Sequence, residues 1–140
     1  MFMYVYILFI LSYNSNIVGD GAAVLLRALE PKDNTGSMEK LRQKRTPGKS
    51  IKHKDLCNGP SKLCLSLDIT KDQINKEDMT KSPKIWVENG DEEIESDQIV
   101  HCKRINIGYA EEWIDKPLRF YILGNTCVSK ADKQAECDLI

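Results

Sequence analysis

Histidine is scarce in this chain, and motifs that bind metals or carry redox chemistry are missing. The 140 residues include two histidines, His53 and His101. Cys102 follows His101 directly, and neighbouring residues of a strand point to opposite faces, so these two form neither a catalytic pair nor a shared metal site. Six residues separate Cys57 from Cys64, which is too wide for a C-x-x-C motif. We therefore expect no metal and no cofactor.

The common motifs of nucleophilic and phosphate-transferring enzymes are absent too. No G-x-S-x-G sequence occurs. Residues 48–50 match the end of a phosphate-binding loop, but Gln43 stands where its first glycine is required. The acidic stretch 88–97 lacks the ligand spacing of an EF-hand and is interpreted as a solvated loop, with calcium or a basic partner as the alternative. We expect no catalytic residues, and the chain is predicted not to be an enzyme.

Neither sign of charge is in clear excess. Twenty basic and 21 acidic residues leave a net charge of −1. Because nucleic-acid-binding proteins are usually marked by an excess of positive charge, the overall balance predicts no nucleic-acid partner.

No hydrophobic run is as long as a membrane-spanning helix requires. Residues 1–11 are uniformly apolar, which is shorter than the roughly 20 residues of a membrane-spanning helix but suits the core of a secretory signal peptide. Small residues between Gly19 and Ala23 suit signal peptidase. The pattern predicts a signal peptide over residues 1–21 and a secreted, extracellular protein without a stable membrane span. A retained anchor is the alternative.

A basic tetrapeptide separates two unlike parts of the chain. Arg42, Gln43, Lys44 and Arg45 resemble the R-x-K-R site that proprotein convertases of the secretory pathway cut. Proline, glycine and serine on both sides predict an open, irregular segment. We therefore predict a propeptide over residues 22–45, with a helix at 22–29, processing through Arg42, Lys44 and Arg45, and a mature domain over residues 46–140. A solvated charge run is the alternative.

All five cysteines lie in the later part of the chain: Cys57, Cys64, Cys102, Cys127 and Cys137. A short exported chain with clustered cysteines indicates disulfides. Cys57–Cys64 and Cys127–Cys137 are plausible pairs, with Cys64–Cys102 as an alternative, and the odd cysteine predicts either a buried thiol or a disulfide-linked homodimer. Reduced, buried cysteines in a cytosolic protein are the other interpretation.

Most of the remaining pattern indicates short strands. Residues 63–69 alternate between apolar and polar side chains, while 84–88, 98–107 and 118–123 are β-prone, and Asn89-Gly90 favours a hairpin. Thr70 is placed to cap a short helix starting at Lys71. The fold class expected is a small disulfide-stabilised, mostly antiparallel β domain with one or two helical turns, preceded by the signal peptide and propeptide.

Large aromatic and basic side chains are the candidates for contacting a partner. Tyr109 and Trp113 lie in a polar stretch, where exposed aromatics are frequent hot spots of protein interfaces. Lys52 and Lys54 belong to a basic stretch suited to sulfated sugars or anionic lipid headgroups, with a disordered terminus as the alternative.

These features together resemble prepropeptide precursors such as hormones, cytokines and venom toxins, although the cysteine spacing identifies no family. They predict a secreted, proteolytically matured ligand or toxin-like effector that binds a receptor, ion channel or other extracellular protein. A secreted protease inhibitor or small-molecule carrier is the second interpretation, and a small secreted enzyme is the third.

Overall fold

The computed structural model describes residues 11–12, 23–75, 77–90 and 93–140. The chain forms two compact units, Met1–Gly90 and Asp91–Ile140. In the first unit, β1 (Leu11–Ser12) pairs antiparallel with β2 (Ala23–Val24), and three helices follow: α1 (Thr35–Gln43), α2 (Pro60–Ser66) and α3 (Lys71–Ile74). In the second unit, β3 (Ile99–Cys102) pairs with β4 (Arg119–Ile122), and α4 (Lys133–Leu139) packs on β3. Three short 3₁₀ turns complete the described elements: His53–Asp55, Ser96–Gln98 and Glu111–Trp113.

The core of the first unit forms where α1 and α2 pack together. Its buried side chains are Leu26, Leu29, Met38, Leu56, Cys57 and Leu63. The segment before α1 joins this core through its backbone, because the Leu29 N–H donates to the carbonyl of Cys57 at 3.1 Å. The predicted helix over 22–29 is wrong: this stretch holds β2 and then irregular chain, and leucines 26 and 29 are buried without helical backbone.

The strand predicted over residues 63–69 is also wrong, because most of it lies in α2. Pro60 occupies the first turn of this helix, where its fixed φ suits a helical start and its missing N–H costs nothing. Leu63 and Ser66, three residues apart, are the side chains that α2 buries. Leucine has a high helix propensity, and the burial of one helical face outweighs the alternating pattern.

The turn that follows α2 agrees with the sequence. Thr70 precedes α3, and its backbone N–H donates to Gln73 Oε1 at 3.1 Å, the reach-back half of a capping box. The predicted helical turn starting at Lys71 is therefore found as α3.

In the second unit the register sets Ile99 opposite Ile122 and Cys102 opposite Arg119. Val100 and Cys102 are buried, whereas His101 between them is exposed, as strand alternation requires. The strand predicted over 84–88 does not form, so Asn89-Gly90 does not turn a hairpin. The β-prone stretch 118–123 does contain β4, and β4 is the partner that β3 takes.

The predicted disulfide-stabilised β domain is wrong. No disulfide joins the five cysteines in the described part of the chain. Cys137 lies on α4, which begins after Asp132 because the carboxylate of Asp132 accepts the Ala135 N–H at 3.2 Å and so caps the helix. The expected hairpin between Cys127 and Cys137 is therefore absent, because residues 128–132 are irregular and α4 begins at Lys133. The described sheets have two strands each, and packed helices stabilise the chain in place of disulfides.

Tyr121 joins β4 to the start of α4. Its hydroxyl accepts the Asp132 N–H at 2.8 Å and donates to Glu136 Oε1 at 3.3 Å. Burial raises the pKa of the Tyr121 phenol, so the hydroxyl keeps its proton.

Because Tyr121→Phe leaves the Asp132 N–H without its acceptor, we expect the free energy of unfolding to fall by about 1–2 kcal/mol. Urea denaturation measures this change in the free energy of unfolding. Tyr109→Phe, at a side chain that is 81% exposed, is the control, and equal losses in the two variants would contradict this role.

Candidate nucleic-acid interface

A basic segment, residues 49–54, follows α1 and carries exposed lysines 49, 52 and 54. Gly48 turns the chain from α1 into this segment with φ of +74°, a left-handed conformation that side chains other than glycine rarely adopt. Between α1 and the segment lies an open groove of about 490 Å³, and its lining includes Arg42, Thr46, Lys49, Ile51, Lys52 and Lys54. The turn therefore brings several cationic side chains to one concave surface.

Helix α1 holds the backbone of this segment through polar side chains. Arg42 Nη1 donates to the carbonyl of Leu56 at 2.7 Å and to that of Asp55 at 3.4 Å. Glu39 Oε1 accepts the Ile51 N–H at 3.3 Å. The lysine side chains of the segment are left facing solvent.

His53 is also engaged with the backbone. Its Nε2 lies 2.8 Å from the carbonyl oxygen of Pro31. A carbonyl accepts hydrogen bonds and donates none, so Nε2 carries the proton. His53 therefore ties the basic segment to the chain before α1, and this nitrogen is not available as a base.

The lysines of the groove are not ion-paired within the part of the chain that the structure describes. Lys49, Lys52 and Lys54 form no ion pair with the carboxylates of the described residues. Asp55, the acidic residue in the lining, accepts a hydrogen bond from Asn58 Nδ2 at 2.7 Å. Unpaired lysines on an open concave surface suit a polyanion such as a nucleic-acid backbone.

The charges of the whole chain divide between the units. Residues 1–90 carry 14 basic and 10 acidic side chains, a net +4, and residues 91–140 carry 6 basic and 11 acidic side chains, a net −5. Residues 40–54 alone contain seven basic residues and no acidic one. The near-neutral total therefore conceals a strongly basic stretch, which is the signal that could have identified this surface from the sequence.

Of the partner-binding and processing residues predicted from the sequence, Arg42, Lys52 and Lys54 line the groove, whereas Lys44, Arg45, Tyr109 and Trp113 are not part of its lining. Tyr109 and Trp113 belong to the second unit and are exposed, with Lys116 Nζ 3.7 Å from the centre of the Trp113 ring. Lys52 and Lys54 belong to the first unit, so the structure does not show the four as one site. Arg42 lies in α1, and Lys44 and Arg45 follow its end. Cleavage after Arg45 stays a prediction.

The Cys102 thiol lies beside a guanidinium. Arg119 Nη1 lies 3.2 Å from its Sγ, yet burial raises the pKa of the Cys102 thiol despite the nearby guanidinium. A thiol that keeps its proton is a poor nucleophile and metal ligand.

In the parts of the chain that the structure covers, no cluster of three or more His, Cys, Asp or Glu side chains is arranged to hold a metal ion. None of the described helices is long and apolar enough to cross a membrane.

Comparison with known proteins decides the family. The family model of methylpurine-DNA glycosylase (MPG) matches residues 1–126. The chain belongs to the methylpurine-DNA glycosylase family. It is 42% identical to the DNA-3-methyladenine glycosylase of Homo sapiens over 97% of its own length and 47% of that relative. The corresponding mouse protein is 43% identical over 96% of this chain and 42% of the relative. A probable DNA-3-methyladenine glycosylase of Encephalitozoon cuniculi is 44% identical over 84% of this chain and 53% of the relative. The chain thus spans about half the length of these relatives.

Membership of the methylpurine-DNA glycosylase family corrects the functional predictions. The secreted ligand or toxin, its receptor or channel partner and its extracellular location are wrong, because the family and the similar proteins are named as DNA glycosylases. The prediction of a non-enzyme is wrong for the same reason, since glycosylases are enzymes. The exclusion of nucleic acid is wrong as well, because this family is named for its action on DNA. The net charge of a whole chain does not give the charge of any one surface.

Proposed function

We propose that this chain acts in DNA repair as a methylpurine-DNA glycosylase, removing bases such as 3-methyladenine, and that the basic groove of its first unit holds the DNA backbone. The family match over residues 1–126 carries the proposal. The protein would then work with genomic DNA in the nucleus or cytoplasm. Lys49, Lys52 and Lys54, which form no ion pair within the described residues, support the role of the groove in binding the DNA backbone.

Backbone binding follows from the charges of the groove. Duplex DNA carries about one negative charge per 1.7 Å of its axis and a condensed layer of counterions. Each phosphate neutralised by a lysine releases counterions, which favours binding at low salt. Lys49, Lys52 and Lys54 are exposed and have no described carboxylate to displace. These lysines would contact phosphates and position the protein without reading the sequence.

The glycosylase reaction itself needs groups beyond this groove. An enzyme that acts on a base takes it out of the stack, and hydrolysis replaces the bond between base and sugar by a bond from sugar to water oxygen. A positioned carboxylate or histidine usually assists such proton transfers. Asp55 is hydrogen-bonded to Asn58, and His53 to the Pro31 carbonyl. We therefore assign the groove to binding and no catalytic role to its residues.

The binding role is tested with fluorescence anisotropy on a labelled duplex at several salt concentrations. For the triple variant Lys49→Gln, Lys52→Gln and Lys54→Gln, we expect the affinity at low salt to fall by about 100-fold and the slope of log affinity against log salt to flatten by about 2–3. The control replaces Lys32, Lys71 and Lys81, which are exposed lysines of the same unit outside the groove. If both triple variants lose the same affinity, the groove is not the interface.

Base excision is tested separately by measuring free 3-methyladenine released from a methylated duplex. We expect release above that of the duplex alone, and none of the unmodified bases. DNA binding without release would overturn the proposed activity and leave the binding surface standing.

A further inference from the structure

Arg42 points its guanidinium at the backbone beside the groove and makes its described hydrogen bonds there. Its Nη1 donates to the carbonyls of Asp55 and Leu56, residues 13 and 14 positions along the chain. The Leu56 carbonyl also accepts the hydroxyl of Ser66, on α2, at 2.8 Å. The Leu56 carbonyl therefore joins α1 and α2 to the backbone two residues after the basic segment.

Two neighbours of Arg42 on the same face of α1 hold the rest of the segment. Glu39 Oε1 accepts both the Ile51 N–H at 3.3 Å and Gln43 Nε2 at 3.2 Å. Gln43 Nε2 also lies 3.5 Å from the carbonyl of Lys49. Positions 39, 42 and 43 are spaced as i, i+3 and i+4, so they share one helix face. This face contacts the backbone of the basic segment at Lys49 and Ile51, and the backbone just after the segment at Asp55 and Leu56.

We propose that Arg42 is a positioning residue for DNA binding: with Glu39 and Gln43 it fixes the backbone of the basic segment before DNA arrives, so that the lysines are already presented to phosphates. This inference rests on the proposed function of the groove. A segment that is ordered in the free protein loses less conformational freedom on binding. The contribution of Arg42 is then to the order of the segment and not to the number of phosphates contacted.

The two roles that an arginine can take here predict different behaviour. A phosphate contact depends on positive charge, so Arg42→Lys would keep most of the affinity. Here one guanidinium nitrogen, Nη1, donates to both carbonyls, and the compact ammonium on the flexible stem of lysine does not reproduce a donor held by a planar, pre-organised group. We expect Arg42→Lys and Arg42→Gln both to weaken DNA binding by about tenfold, the equivalent of one lost charge-assisted hydrogen bond, with the salt slope unchanged.

Arg45 provides the matched control. It follows α1, is exposed, and carries the same charge two residues outside the helix. Arg45→Lys is expected to bind like the wild-type protein. If Arg42→Lys also binds normally, or if Arg42→Gln flattens the salt slope by about one, Arg42 contacts phosphate directly and the positioning role is overturned.

Hydrogen exchange with mass spectrometry separates positioning from general stability. Without DNA, we expect amides of residues 51–56 to exchange at least about tenfold faster in Arg42→Gln than in the wild-type protein, with core amides around Leu63 unchanged. Adding DNA should restore the lost protection in the variant and add little in the wild-type protein. If amides 51–56 of the free Arg42→Gln variant exchange as in the wild-type protein, the positioning role is overturned, whether or not the chain binds DNA. Failure of the wild-type chain to bind DNA would instead refute the proposed function of the groove.

Discussion

Replacing Leu56 by alanine is expected to lower the free energy of unfolding by about 2–5 kcal/mol, the range for emptying a leucine site in a packed core. Leu56 is 2% exposed and lies in the core between α1 and α2. Its carbonyl accepts hydrogen bonds from Arg42 and Ser66. A cavity at this position therefore loosens the packing that also anchors the basic segment.

Urea unfolding followed by circular dichroism measures the effect of Leu56→Ala. Leu118→Ala removes the same atoms from a side chain that is 41% exposed. We expect this variant to lose several-fold less free energy of unfolding than Leu56→Ala. DNA affinity should fall in Leu56→Ala and stay unchanged in Leu118→Ala. Equal losses of stability in the two variants would show that Leu56 is not a core residue.

Replacing Val100 by aspartate is expected to cost about 4 kcal/mol or more and to prevent the second unit from folding. Val100 is 0% exposed on the face of β3 that α4 covers. A carboxylate there loses its hydration, and its cross-strand partner, Tyr121, is uncharged. The nearby Arg119 already lies over the Tyr121 ring and contacts Cys102 Sγ. The unfolded chain, in which the carboxylate is hydrated, is thereby favoured.

His101→Asp adds the same charge one residue further along the same strand. His101 is exposed, and its ring meets that of Phe120 edge-on at 4.8 Å, so we expect a loss of about 0.5–1.5 kcal/mol from that contact. Hydrogen exchange of β3 and β4 distinguishes the variants, because only Val100→Asp should remove the protection of both strands. Similar exchange in the two variants would mean that the burial of Val100 does not stabilise this sheet.

Local features of the fold could be predicted where they depend on neighbouring residues. Thr70 and Gln73 are three positions apart, and the turn that they cap forms as expected. The β-prone stretch 118–123 contains β4. Its pairing with β3 could not be predicted, because several β-prone stretches were available as partners and the choice depends on contacts made only in the folded chain, such as the packing of α4 on β3.

The candidate site was predictable in part. Lys52 and Lys54 are binding candidates from the sequence alone, and the structure places both in the basic groove. The total charge hides this surface, because the acidic charge of residues 91–140 cancels the basic charge of residues 1–90. Arg42 was assigned to proteolytic processing since its tetrapeptide resembles a cleavage site. Its contact with the Leu56 carbonyl joins residues that are 14 positions apart, a distance over which sequence spacing gives no geometry.

The sequence by itself determined the run of seven cations over residues 40–54, the short capped turn at Thr70 and the β-strand character around Phe120, since each follows from residue type and near neighbours. Only the tertiary structure decided that residues 63–66 are helical and that Arg42 anchors the basic segment. The reason is that burial of Leu63 and Ser66 against Leu56, and hydrogen bonds from α1 to a distant backbone, exist only once the chain has folded.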